Sequence, residues 1–110
     1  MPLASASADP RATGVYRIRG SGDRIVYIGE GIIVARLAAH RKSARTATSR
    51  QGQALAAVQP LTSSWVANAD WADHQRLELE NDLIAAWVLA NGSPPSAQFF
   101  GSGRESLIID

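Results

Sequence analysis

Residues 14–40, GVYRIRGSGDRIVYIGEGIIVARLAAH, restrict the fold of this chain more than any other stretch. Two tyrosine tripeptides, Gly14-Val15-Tyr16 and Tyr27-Ile28-Gly29, bracket ten residues. Val15, Arg17 and Arg19 alternate with Tyr16 and Ile18, which is the period of a strand. Gly20-Ser21-Gly22-Asp23 is rich in residues that tolerate positive φ and reverse the chain. Arg24 to Ile28 reads as a second strand, and residues 32–43 change to helical spacing. The pattern predicts two tyrosines on one hairpin and Arg36 on the helix that follows, with His40 one turn later. That placement is already a site hypothesis.

Length and composition bound the rest. At 110 residues the chain has room for one domain with a single modest core. A hydrophobic content of 45% and a charged content of 19% describe a globular domain rather than a disordered chain. The absence of cysteine excludes a disulfide framework, thiolate zinc ligands and a catalytic thiol. MPLASASADPRAT lacks the apolar core of a signal peptide, and no apolar run reaches membrane-spanning length, so the expectation is a cytoplasmic protein with no membrane partner. Net charge is only +1, but residues 1–55 hold nine basic groups and three acids while residues 56–110 hold two basic groups and seven acids. A basic half suits a polyanion partner, and chance segregation in a small protein explains it equally well.

Residues 1–12 are small and polar and read as a flexible N-terminal arm, leaving 13–110 as a single domain. After the helix from about Ile32, Thr46 to Gly52 reads as a polar loop. Gln53 to Val58 reads as a short helix stopped by Pro60. Ser64 to Asn68, with Trp65 and Val66, reads as a third strand. The longest helix runs from about Trp71 to Ala90, with Asp70 as N-cap and Asp73 in the acidic position of a capping box. Asn91-Gly92 ends it, Pro94-Pro95 prevents continuation, and the closing Leu107-Ile108-Ile109 is expected to pack on the sheet.

On a helical wheel Leu77, Leu83, Ile84, Trp87 and Val88 form one apolar stripe with Glu80 near its middle, while Glu78 and Asp82 fall on the polar side. A carboxylate inside a core-facing stripe is costly without a cation or metal partner. Arg36 is its mirror image, sharing a face with Ile32, Ile33, Ala39 and His40. The two admit a buried ion pair that fills the core, or one concave site that receives both. His40 stacks one turn after Arg36, although the plain reading of a lone helical histidine is a surface residue or a satisfied core residue. His74 lies off the stripe and reads as solvated. The two histidines lack metal-site spacing, Gly29-Glu30-Gly31 is too short for a phosphate loop, and no nucleophile elbow occurs. Either tyrosine alone would be an ordinary strand former; their repetition beside glycines on paired strands makes that reading less comfortable.

Taken together, these residues resemble the signature of the GIY-YIG endonucleases. The two tripeptides and their spacing match the family's hairpin. Arg36-Leu37 with His40 falls where the family has its helix-borne arginine, and Glu80 with Leu83-Ile84 resembles the helix bearing its metal-binding glutamate. The likeness covers residues 14 to about 98. It implies an α/β (α+β) fold, a small three-stranded mixed sheet flanked by helices in the order β-β-α-(α)-β-α, which agrees with the element order read from the residues.

The resemblance also implies a reaction, metal-dependent hydrolysis of phosphodiester bonds in DNA, with RNA as another substrate class. Glu80 would hold one magnesium or manganese ion, with water and phosphate oxygens completing its shell. Tyr16 would be the general base, a phenol of ordinary pKa about 10 that needs nearby positive charge to act near neutrality. Arg36, assisted by Arg24, would neutralise charge on the phosphate, while Tyr27 and His40 would orient the water, the phosphate or Tyr16. Gln98 stands near the place of a family asparagine and is, by that likeness, a candidate nucleic-acid contact. Arg41, Lys42, Arg45 and Arg50 would track DNA phosphates, contacts that carry no sequence information. With no base-reading helix, targeting would fall to loops or to a protein partner. Two alternatives remain open: a catalytically silent nucleic-acid-binding module of the same fold, and a partner-docking domain with a buried Arg36–Glu80 pair.

Overall fold

The structure, a computed structural model, describes residues 1–3 and 9–98. The elements are β1 (Thr13–Arg19), β2 (Ile25–Ile32), α1 (Ile33–Thr46), α2 (Arg50–Ala56), β3 (Thr62–Ala67) and α3 (Asp73–Asn91), the order expected from the sequence. The three strands lie in the order β2-β1-β3, and both pairings are antiparallel. The sheet is therefore antiparallel, not the mixed sheet expected. The reason is where the chain returns after two helices. β3 joins the free edge of β1, which runs against it, rather than the edge of β2, beside which it would have been parallel.

The hairpin closes through a tight turn at Ser21–Asp23, where Gly22 and Asp23 take positive φ of 73° and 59°. Pairing opposes Tyr16 to Gly29 and Ile18 to Tyr27, with a bulge between Ile18 and Arg19. Residues alternate across a strand, so Tyr16, Ile18 and Tyr27 share one face. That face packs with Val26, Ile33, Leu37, Ala44, Leu55 and Leu61 into one core. α2 starts at Arg50, earlier than expected, because the Ser49 hydroxyl accepts the Gly52 N–H at 2.9 Å and caps it.

α3 corrects three expectations. Its N-cap is Ala72, not Asp70, whose N–H instead donates to the Asn68 side chain at 2.9 Å in a preceding turn. Gln75, rather than Asp73, reaches back to accept the Ala72 N–H at 2.7 Å. The apolar stripe is not a core face, since Glu80 and Ile84 are the buried residues of α3 while Leu77 and Leu83 are 46% and 40% exposed. The helix rests on β2 and β1 along a narrow line through Glu80 and Ile84, leaving its flanks clear of the sheet. Beside that line, Leu83, Ala86 and Trp87 face Val15, Ile28 and Val66 across an open, mostly apolar groove of about 640 Å³.

The N-terminal arm is not loose at its start. Pro2 bridges to Thr62, the Leu3 N–H donates to the Leu61 carbonyl at 2.9 Å, and Leu3 is buried in the core. An apolar residue with a strand edge to pair against outweighs the polar composition around it. Leu107-Ile108-Ile109 lies outside the described residues. Among the described residues no helix is long and apolar enough to cross a membrane.

The outer edge of β2 is closed by one side chain. Gln98 accepts the Ile28 N–H and donates to the Ile28 carbonyl, each at 2.8 Å, while the Ala97 N–H donates to the Val26 carbonyl at 2.9 Å. The amide thus behaves as a strand one residue long. Both ends of this exchange are buried, so Gln98→Ala strands a backbone donor and an acceptor together. It should lower unfolding stability by about 2 kcal/mol, read as a reduced urea midpoint at unchanged slope.

Candidate functional site

Each glycine of the two tripeptides is a point of close approach. A Cβ on Gly14 would run into the Val66 carbonyl of β3, and one on Gly29 would overlap the ring and hydroxyl of Tyr16. The phenol of the first tripeptide therefore lies across the glycine of the second. Tyr27 stacks beside it, ring centroids 6.0 Å apart and planes 22° from parallel. α1 brings the third ring, His40, to 4.3 Å from Tyr27 and 5.7 Å from Tyr16. The Tyr16 hydroxyl and His40 Nε2 are 2.7 Å apart in a buried hydrogen bond. When Nδ1 carries the ring hydrogen, the phenol donates and Nε2 accepts.

Charge surrounds this uncharged trio. Arg36 stands on the exposed flank of α1, and Glu80 is buried on α3. Burial raises the Tyr16 phenol well above its ordinary range; Tyr27 and Glu80 push the same way, and Arg36 opposes them. Arg36 is itself held above its usual range, because Tyr16 and Tyr27 outweigh the lowering effect of burial. Burial, with Arg36 adding to it, pushes the His40 imidazole down to about 4. At neutral pH the centre is thus a protonated phenol bonded to a neutral imidazole.

The buried Arg36–Glu80 ion pair, one of the two arrangements the sequence left open, is not among the salt bridges of the described residues. Arg36 addresses the two phenols instead, and the nearby charge Glu80 supplies to the trio acts on Tyr16. No group of three or more metal-ligating side chains occurs among the described residues. One buried carboxylate beside a phenol nevertheless fits a hard cation that draws most of its oxygens from water and phosphate, as magnesium does.

The remaining expected residues are placed elsewhere. Arg24 sits exposed at the hairpin turn and lines a separate cavity of about 270 Å³ with Pro94 and Pro95, so it does not join Arg36. The strand carries it away: Tyr16 is five residues before the turn begins at Ser21. Arg41 and Arg45 lie at least about 140° round α1 from Arg36 at 100° per residue, so they form no continuous stripe with it. Lys42 and Arg50 are exposed, and Arg50 opens α2. Gln98 is 4% exposed and spends its amide on Ile28, which makes it a strand cap rather than a nucleic-acid contact.

Two residues not singled out in the sequence bear on the site. Arg76 Nε donates to Glu30 Oε2 at 3.1 Å, joining α3 to the residue directly after the second tripeptide. Arg76 stands one turn before Glu80, and that i, i+4 relation was the available signal. Its partner, 46 positions away, left none.

Comparisons with family models, with characterised proteins and with solved structures return no match.

The buried imidazole makes stability depend on pH. Between pH 4 and 6.5 the unfolded chain holds the His40 proton more tightly than the folded chain, so stability rises with pH across that window and is lost as pH falls through it. The contribution is about 3 kcal/mol. Urea unfolding from pH 4 to 7 should show this rise, and His40→Gln should flatten it.

Proposed function

We propose that the chain is a divalent-metal-dependent endonuclease of the GIY-YIG type that hydrolyses phosphodiester bonds in DNA in a cytoplasmic setting. What supports this reading is convergence. β1, β2, α1 and α3 deliver Tyr16, Tyr27, Arg36 with His40, and Glu80 to one place, with a phenol–imidazole hydrogen bond at its centre and opposite charges at its margins.

The roles follow from the electrostatics. Arg36 is the exposed cation of the cluster and receives the scissile phosphate, neutralising charge that builds on its oxygens. Tyr16 takes the proton of the attacking water once its own has been released to solvent, with His40 Nε2 as its first acceptor on the way. In the resting site that proton stays put, because the phenol is raised and the imidazole lowered, so transfer from one to the other runs uphill. His40 holds the hydroxyl in line, and Tyr27 packs both rings in place. Glu80 would hold a magnesium or manganese ion, which supplies positive charge and Lewis acidity when bound. DNA targeting would come from loops or from a protein partner, because the basic residues of α1 do not form one track to Arg36.

One observation favours a second reading, a module of the same fold that binds nucleic acid without cutting. Tyr16 is only 2% exposed and held in its protonated form.

Nicking of supercoiled plasmid separates the two. Wild type should cut with magnesium or manganese and not with chelator. Glu80→Ala and Arg36→Ala, each checked for folding, should each lose about a hundredfold or more in rate. Because a raised phenol must lose its proton, log rate should climb with pH between 7 and 9.5 without levelling. Salt-sensitive DNA binding by a wild type that cuts under no metal condition would establish the silent module instead.

A further inference from the structure

α3 is held to the sheet in an unusual way. Its stripe of leucines does not anchor it, since Leu77 and Leu83 are exposed, Leu89 is 88% exposed, and an open groove runs along the Leu83 and Trp87 flank. Ile84 is its buried apolar contact, and at its first turns the fastening is polar. The Arg76 guanidinium donates through Nε to Glu30 on β2, and through its terminal nitrogens to the Trp71 carbonyl at 3.1 Å and to Asp73. The side chains of Arg76 and Glu30 are only 11% and 19% exposed, so this pair is better shielded from solvent than a surface ion pair. A planar fork with several donors fixes direction as well as distance. By bonding to the start of its own helix as well as to β2, Arg76 sets both the position and the rotation of the first turns.

Glu80 follows one turn later on the same side of α3. Glu30 directly follows Gly29, the residue over which the Tyr16 ring lies. The pair therefore ties the helix that carries the carboxylate to the strand that receives the phenol. We infer that Arg76 and Glu30 are positioning residues, which hold the Glu80 carboxylate at the distance from Tyr16 where it can take up a divalent cation. The inference rests on the proposed metal-dependent function and adds to it the element that sets cation affinity.

Manganese is the probe, and its paramagnetism gives a readout independent of cleavage. The chain has two tyrosines, both in the cluster, so ring-labelled tyrosine reports on the site and on nothing else. In the wild-type protein, titrated manganese should broaden both tyrosine signals, and Glu80→Ala should abolish that response. Arg76→Met alone strands a largely buried Glu30, so the decisive variant is Glu30→Met combined with Arg76→Met, which removes both charges and leaves neither unpaired. With its unfolding midpoint near that of wild type, the double variant should need about ten times more manganese for the same broadening, the scale of a lost outer-shell support. An unchanged titration in the folded double variant overturns the inference and leaves the proposed function standing. Broadening absent from wild type, or equal in Glu80→Ala, overturns the metal site and the inference with it.

Discussion

The passage of the Tyr16 ring over Gly29 is the contact on which the rest of the site depends. It helps fix the hairpin, because the two residues are cross-strand partners and a slip of one residue would put Ile28 or Glu30 where the ring lies. It also aims the hydroxyl away from solvent and towards α1, where His40 meets it. A glycine here is selected by the volume of a phenol across the strand, not by backbone freedom. The matching glycine, Gly14, serves the other side of β1 by letting the Val66 carbonyl of β3 approach. The central strand is thus clamped at close range from both neighbours.

Burial then sets the chemistry. A phenol and an imidazole removed from water both favour their neutral forms, and the shifts of Tyr16 and His40 run in the directions this requires. The neutral pair costs the fold little, whereas a charged pair in the same place would have to be paired to persist. Charge is kept to the margins: Arg36 where solvent reaches it, Glu80 on the helix opposite. Such a centre is poised rather than active. Positive charge brought near Glu80 would reduce the cost of ionising Tyr16, whereas a polyanion brought to Arg36 would offset the help that Arg36 gives.

Local features were legible in the sequence because their causes are local. Strand alternation, turn glycines and helix stops yielded all six elements in order. The two tripeptides placed both tyrosines, and helical spacing placed His40 behind Arg36. Long-range features were not legible. Gln98 reads as a polar residue after a proline turn, and only a partner 70 positions away makes it a strand cap. The wheel identified Glu80 as anomalous but misjudged its neighbours, since a wheel shows which residues share a face and not how closely that face meets another element. Leu77 and Leu83 share it and remain exposed. The direction of β3 was lost for a similar reason, as nothing in Thr62–Ala67 says which free edge it will join.

β2 gathers these long-range ties within four consecutive residues. Tyr27 packs against Tyr16 and His40, Ile28 exchanges two hydrogen bonds with Gln98, Gly29 receives the Tyr16 ring, and Glu30 receives Arg76. An edge strand of a three-stranded sheet is ordinarily the element most free to fray. Here its two faces and its outer edge are each held by a group from elsewhere in the chain: α1 by way of the core, α3 through Arg76, and the segment after α3 through Gln98. Side chains point to alternate faces of a strand, and the backbone groups of alternate residues point to its free edge. Successive residues are therefore obliged to meet different partners. Four adjacent positions serve four contacts because strand geometry separates their directions, and that separation lets so short a segment hold a site assembled from four elements.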